Sequence, residues 1–130
     1  MSATTSSAVA ELTTKLDPIT STFQRAVIFR EAIALPPSNP DAYAYLRHEI
    51  RAGITDAWGW CPENPDAFRA HTSAAYGNDH ADATPIRHAL DMAEPTSPVS
   101  ATYGQASLIR MHRDRRMYEW DTVTEAHLHE

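Results

Sequence analysis

The chain contains few of the residues on which many well-known functional sites are built. It has one cysteine, four glycines and one lysine among 130 residues. The single cysteine, Cys61, can form neither an internal disulfide nor a paired Cys-x-x-Cys metal or redox motif. So few glycines leave no glycine-rich phosphate loop, and no Gly-x-Ser-x-Gly nucleophile motif is present. The sequence therefore excludes the enzyme classes that are defined by these motifs.

Long apolar runs and helical metal motifs are missing as well. No segment approaches the roughly 20 apolar residues needed to cross a bilayer, and the start of the chain has no basic stretch followed by an apolar run. No glutamate is followed three residues later by a histidine, which excludes the usual helical di-iron site. We therefore predict a cytoplasmic protein with no membrane segment.

The charge balance of the chain limits the kinds of partner that the protein is expected to bind. The formal net charge is −6, and almost all the positive charge is arginine. Because phosphate backbones are bound by clustered cations, this balance argues against nucleic acid and anionic membranes as partners. A hydrophobic fraction of 42% and a charged fraction of 22% are those of a folded protein. A chain of this length is expected to form one domain that buries about two thirds of its unfolded surface.

Prolines and helix-capping residues divide the chain into short helical segments. Asp17-Pro18, Asn39-Pro40-Asp41 and Asn64-Pro65-Asp66 each combine a capping side chain with a proline at the first helical position. The fold class predicted from this pattern is mainly α, a compact bundle of four to five short helices. The predicted helices are Ser7 to Leu16, Asp17 to Leu35, Asn39 to Trp58, Asn64 to Tyr76 and Thr84 to Ala93.

This pattern also suggests an organisation for the chain. Residues 1–16 are expected to be a loose N-terminal segment, 17–94 the helical core, 95–104 a linker and 105–130 an Arg/Trp-rich C-terminal arm. Two structures remain open for the arm, a β-hairpin with its turn at Arg113 to Arg116 or a single helix. The predicted core residues are Phe23, Val27, Leu46, Ile50, Ile54, Phe68 and Leu90.

The densest group of polar side chains suggests a metal site. Asp79 and His80 lie in a polar stretch, His88 lies in the next predicted helix, and His71 precedes them. Carboxylates and imidazoles are suitable ligands for Zn, Fe or Mn, so these four residues are the candidate ligands. The alternative is a polar loop whose side chains bind turn backbone, and the lack of a recurring ligand spacing favours it.

The arm contains the second candidate site. Arg110, Arg113, Arg116, Tyr118 and Trp120 combine the residue types that are enriched in protein interfaces. We interpret them as a partner-binding surface for another protein or for a second copy of the chain. A nucleic-acid contact through the arginines is the weaker interpretation, because nearby acidic residues can neutralise them.

Two functions follow from these sites. The first is a small non-catalytic interaction protein, either an accessory subunit or a self-associating domain, which makes an isolated enzyme the less favoured reading. The alternative is a small enzyme or ligand-binding domain with a His/Asp site, and whether that site holds a metal is left open. Cys61, flanked by Trp58 and Trp60, is interpreted as structural, since no histidine base can be named for it.

The metal hypothesis makes a direct prediction. Protein purified without a tag should contain stoichiometric metal, and replacing His80 and His88 together should remove it because both are ligands. Elemental analysis measures this. Metal-free protein, or equal metal content in the variant, would contradict the hypothesis.

Overall fold

The computed structural model describes residues 15–63, 65–77, 79–93 and 97–129 of the chain. Within these residues the protein is a mixed α/β structure with seven strands that pair in an antiparallel manner. The predicted mainly α bundle is therefore wrong. The short helix predicted from Ser7 to Leu16 lies almost entirely outside the described residues.

The strands form three small sheets. β1 (Ile19–Phe23) pairs with β5 (Val99–Tyr103), and β6 (Gln105–His112) pairs with β7 (Glu119–His127). The middle sheet has the order β2-β3-β4, made from β2 (Val27–Phe29), β3 (Ala32–Leu35) and β4 (Thr72–Tyr76). Since only Gly104 separates β5 from β6, one extended stretch of chain supplies a strand to two of the sheets.

The predicted helix from Asp17 to Leu35 is replaced by β1, β2 and β3. In β1 burial alternates, with Ile19, Ser21 and Phe23 inside and the threonines between them outside. That two-residue period defines a strand, but the polar Ser21 hides it in the sequence. The turn between β2 and β3 is also hard to predict, because Arg30 adopts a positive φ of 52° where glycine or asparagine is usual.

The helix predicted from Asn39 to Trp58 is confirmed as α1 (Pro40–Trp58), with proline in its first turn. Gly59 closes it in the left-handed conformation at φ 82°, and its N–H donates to the Thr55 carbonyl at 2.7 Å. The helix predicted from Thr84 is confirmed as α2 (Thr84–Met92). Neither helix is long and apolar enough to span a membrane, a statement limited to the described ranges.

The other predicted segments differ from the structure. The stretch from Asn64 to Tyr76 is not a helix, since it contains only a 3₁₀ turn at Pro65–Ala67 and then β4. Part of the predicted linker 95–104 is β5. The hairpin alternative for the arm is confirmed, and its turn places Arg116 at a φ of 60°.

The most buried side chains of the described residues lie on β1, on β3 and at the end of β7, and a polar network on β1 contacts the start of α1. Ser21 is 1% exposed, and its hydroxyl donates to Asn39 Oδ1 at 2.6 Å and lies 2.5 Å from the Tyr43 hydroxyl. The Asn39 amide in turn donates to the Thr20 carbonyl at 3.2 Å, so this side chain binds β1 instead of capping α1 as predicted. A buried polar group is tolerated only when it is hydrogen-bonded, and this network meets that condition.

The predicted core residues are buried from solvent to different degrees. Phe23 is buried, whereas Val27 and Phe68 are 38% and 41% exposed. The four others are half-buried, namely Leu46, Ile50, Ile54 and Leu90.

This core network gives a stability prediction. Replacing Ser21 with Ala removes the hydroxyl that satisfies Asn39 and Tyr43, so the free energy of unfolding should fall by roughly 1–3 kcal/mol. Urea unfolding measures the change. Thr22→Ala alters an exposed side chain on the same strand and should cost less than about 0.5 kcal/mol. Equal losses in the two variants would show that the network is not the cause.

Candidate functional site

The middle sheet positions a set of side chains on one of its faces. Residues directly opposite each other on paired strands share a face. On β3, Ala32 is opposite both Phe29 of β2 and Tyr76 of β4. Ala34 is opposite Val27 and Ser73 in the same way. A bulge between Ile33 and Ala34 gives β4 one extra residue, which brings Ser73 and Tyr76 to the same face.

His71 lies just before β4, two residues from Ser73, and its ring centroid is 5.0 Å from that of Phe29. The Nδ1 atom is 2.8 Å from the Arg69 carbonyl oxygen. A carbonyl can only accept a hydrogen bond, so Nδ1 carries the proton in the neutral ring and Nε2 keeps its lone pair. This exposed side chain can therefore accept a proton at a defined atom.

Two guanidinium groups surround the same aromatic ring. Arg30 and Arg69 lie 5.5 Å and 5.4 Å from the Phe29 centroid. No carboxylate of the described ranges forms a salt bridge with either arginine, and both are exposed. We call Phe29, Arg30, Arg69 and His71 the cationic cluster. Unpaired guanidinium groups are the preferred ligands of phosphate oxygens, so the cluster is suited to an anionic ester.

The start of β4 is fixed from the side of the core. The Thr72 hydroxyl lies 3.2 Å from the Tyr103 hydroxyl. The Tyr103 ring makes edge-on contacts with Phe23 on β1, at 6.2 Å, and with Tyr43 on α1, at 6.1 Å. Because Thr72 follows His71 directly, these contacts also hold the backbone of the cluster in place.

The other end of the sheet is fixed by Glu31, in the turn between β2 and β3. Arg113 Nη1 contacts Glu31 Oε2 at 2.5 Å, and Arg113 Nη2 donates to the Gly77 carbonyl at 2.5 Å. The Tyr118 hydroxyl donates to Glu31 Oε1. The Gly77 N–H donates to the Glu31 carbonyl at 2.6 Å. We call these residues the Glu31 network, and it joins the turn of the arm to the middle sheet.

The network shifts the ionisation of its members. The hydrogen bond from Tyr118, followed by that from Arg113, lowers the pKa of Glu31 below its ordinary value of 4.5. The same hydrogen bond, together with partial burial, raises the pKa of Tyr118 above 10.0. The bond to Glu31 also raises the pKa of Arg113. All three groups therefore keep their usual charge at neutral pH.

The predicted metal ligands are not gathered into one site. Asp79 accepts a hydrogen bond from the His80 N–H at 2.8 Å and pairs with Arg116 at 3.4 Å, while the ring of His71 contacts Phe29. Over residues 15–63, 65–77, 79–93 and 97–129, no three His, Cys, Asp or Glu side chains form a group able to hold a metal ion. Metal binding by His71, Asp79, His80 and His88 stays a prediction.

The predicted partner-binding residues of the arm separate into two groups. Arg113 and Tyr118 belong to the Glu31 network, so they hold the fold together. Arg110, Arg116 and Trp120 are exposed, with Trp120 at 57%. The binding role of the exposed group stays a prediction.

Sequence reasoning missed Phe29, Arg30 and Arg69, and it considered His71 only as a metal ligand. The pairs 29–30 and 69–71 are about 40 residues apart, and nothing local indicates that they meet. A cleft of about 370 Å³ between residues 15–20 and the start of α1 is a separate feature, since none of its lining residues belongs to the cationic cluster.

The architecture is antiparallel α/β, and an exposed histidine and two arginines gather around one phenylalanine ring. The sequence profile of the 2'-5' RNA ligase superfamily matches residues 2–115. The chain therefore belongs to that superfamily. No curated protein sequence matches the chain significantly.

Solved structures share the fold. A phosphoesterase has a TM-score of 0.61 at 15% identity, over 100% of this chain and 72% of the other. The protein TT0787 of Thermus thermophilus has a TM-score of 0.67 at 12% identity, over 94% of this chain and 67% of the other. E. coli LigT complexed with 3'-AMP has a TM-score of 0.66 at 15% identity, over 100% of this chain and 72% of the other.

Membership in this superfamily corrects the functional prediction. The reading of the chain as a non-catalytic accessory or self-associating protein is wrong, because the family is one of RNA ligases. The alternative of a small enzyme agrees with the finding.

The Glu31 network predicts how stability depends on pH. Glu31 has a lowered folded pKa, so its contribution is complete above pH 4.5 and is lost as the pH falls through the lowered value. Tyr118 has a raised folded pKa, so its contribution is complete below pH 10.0 and is lost as the pH rises through the raised value. Urea unfolding at a series of pH values measures both limbs.

The variant Glu31→Gln tests the acid limb. Its deficit in unfolding free energy against the wild type should be largest near neutral pH and shrink as the pH falls below 4.5. Asp91→Asn changes an exposed carboxylate on α2 and serves as the matched control. A deficit for Glu31→Gln that is the same at every pH would contradict the assignment.

Proposed function

We propose that the protein is an enzyme that makes or breaks phosphodiester bonds in RNA or in a nucleotide derived from it, with the 2'-5' linkage as the first candidate. The observation that carries the proposal is the cationic cluster, in which a histidine with a defined free nitrogen lies beside two unpaired arginines. A single cysteine agrees with a cytoplasmic location, which is part of the proposal.

The cluster supplies the two things that phosphodiester cleavage needs. Arg30 and Arg69 would bind the non-bridging phosphate oxygens and stabilise the negative charge of the transition state. His71 Nε2 would take the proton from the attacking hydroxyl of water or ribose. As the new P–O bond forms, the bond to the departing ribose oxygen breaks, and that oxygen receives a proton from solvent. In the reverse direction the same three side chains would join two RNA ends through a new phosphodiester bond.

The related structures support a nucleotide ligand. E. coli LigT has been solved in complexes with ATP, with NADP+ and with 3'-AMP. All three ligands carry phosphate on an adenosine, and they belong to a protein with the same fold. A phosphate bound by Arg30 and Arg69 would suit any of them, which is why the linkage has to be tested directly.

His71→Ala is the central test. The variant should lower kcat for hydrolysis of adenylyl-(2'→5')-adenosine by about 10²- to 10⁴-fold, because general base catalysis is lost, while KM changes little. Arg30→Ala and Arg69→Ala should raise KM, because they bind the phosphate, and should also lower kcat, because they stabilise the negative charge of the transition state. Chromatographic measurement of released adenosine and AMP gives both constants.

The matched control is His48→Ala, an exposed histidine on α1 that is not one of the cluster residues. It should leave both constants unchanged. If His71→Ala turns over the dinucleotide at the wild-type rate while remaining folded by circular dichroism, the proposed function is wrong.

A further inference from the structure

A second group of aromatic and cationic side chains lies at the far end of the middle sheet. Tyr76, the last residue of β4, is 50% exposed, and its ring meets that of Tyr118 edge-on at 4.7 Å. Arg116 lies close by, since its guanidinium reaches Asp79, three residues beyond Tyr76, at 3.4 Å. We call Tyr76, Tyr118 and Arg116 the tip surface.

The tip surface continues from the cationic cluster. Tyr76 is opposite Ala32, which is opposite Phe29, so the two rings are on the same face and about 10 Å apart at their backbones. Ala32 between them is buried, at 6% exposed, so the two surfaces are joined at the turn that carries Arg30. Arg30 is next to Glu31, which contacts Tyr118 and Arg113. Cationic and aromatic side chains therefore extend from His71 through Phe29 and Arg30 to Tyr118 in the turn of the arm.

The charges on this path are able to bind an anion. Arg116 has a side chain that is 74% exposed, and Asp79 is 70% exposed. An ion pair so exposed contributes little, so Arg116 can exchange the carboxylate for a phosphate at small cost. Arg30 is unpaired among the described residues. The net charge of −6 does not describe this face, where Arg30, Arg113 and Arg116 lie with Glu31 and Asp79.

Single-stranded RNA fits this arrangement. Proteins bind such strands with cations that follow the phosphates and with aromatic rings on which bases stack. A protein partner would also use tyrosine and arginine. Continuity with a proposed phosphodiester site favours the RNA strand, because the reacting bond is part of the same polymer.

We propose that the tip surface binds the single-stranded RNA next to the reacting phosphodiester, with a base stacked on Tyr76 and a phosphate held by Arg116. This inference rests on the proposed function, and it makes the end of an RNA strand the preferred substrate over a free nucleotide.

Fluorescence anisotropy with a 5'-labelled 12-nucleotide oligoadenylate, titrated at several salt concentrations, tests the proposal. Tyr76→Ala should weaken binding about tenfold, whereas Tyr76→Phe, which keeps the ring, should bind like the wild type. Arg116→Ala should reduce the slope of log K against log salt by about 0.7, the value for one phosphate contact to a single strand. Turnover of adenylyl-(2'→5')-adenosine should stay unchanged in all three variants.

Arg115→Ala is the matched control for charge. Arg115 is in the same turn, but it pairs with Glu119 at 3.2 Å and not with the β4 side, so its loss should leave the slope unchanged. Equal effects of Arg115→Ala and Arg116→Ala would indicate attraction by charge alone and would overturn the proposal. So would wild-type binding by folded Tyr76→Ala, or no binding of the 12-mer even at low salt, the result expected of a protein-binding face.

The experiment separates this proposal from the proposed function. His71→Ala should lower dinucleotide turnover by about 10²- to 10⁴-fold and still bind the 12-mer. If it binds the 12-mer and also keeps its turnover, the catalytic proposal fails while the tip surface stands. If turnover is lost as expected and the Tyr76 and Arg116 variants bind normally, only the tip surface is wrong.

Discussion

The structure depends on one carboxylate in a two-residue turn. Glu31 is the point where the middle sheet meets the arm, because its side chain binds both Arg113 and Tyr118 and its carbonyl binds the Gly77 N–H. Isolated two-stranded hairpins are only marginally stable in water. The arm therefore needs such an anchor, and charge-assisted hydrogen bonds are stronger than neutral ones. Without Glu31, the arm would lose these contacts to the middle sheet.

The same anchor holds parts of both proposed functional surfaces. It holds the turn that carries Arg30 and the end of the strand that carries Tyr76, and it keeps Tyr118 against Tyr76. At the opposite end of β4, the contact between Thr72 and Tyr103 holds the segment of His71. The sheet thus carries the proposed catalytic site at one end of β4 and the proposed RNA-binding surface at the other. Between them, Ala32 and Ala34 on β3 are buried, at 6% and 0% exposed.

Prediction from the sequence succeeded where the determining interactions are local. Pro40, Asp41 and Gly59 define the ends of α1 through capping and backbone preference, and these effects need no distant partner. The capping prediction failed at Asn39, because its side chain is hydrogen-bonded to the Ser21 hydroxyl and the Thr20 carbonyl on β1. Prediction also failed over β1 to β4, where the turn at Arg30 lacks glycine and the bulge at Ala34 interrupts the alternation.

The sequence by itself determined a folded acidic chain, two helices with their ends, and the set of motifs that the protein does without. Only the tertiary structure decided that the segments around them are strands, and that Phe29, Arg30, Arg69 and His71 form one cluster. The physical reason is the range of the interactions. A helix satisfies its backbone within four residues, whereas a strand satisfies it on another strand that can be about 80 residues away, as Ile19 does on Tyr103.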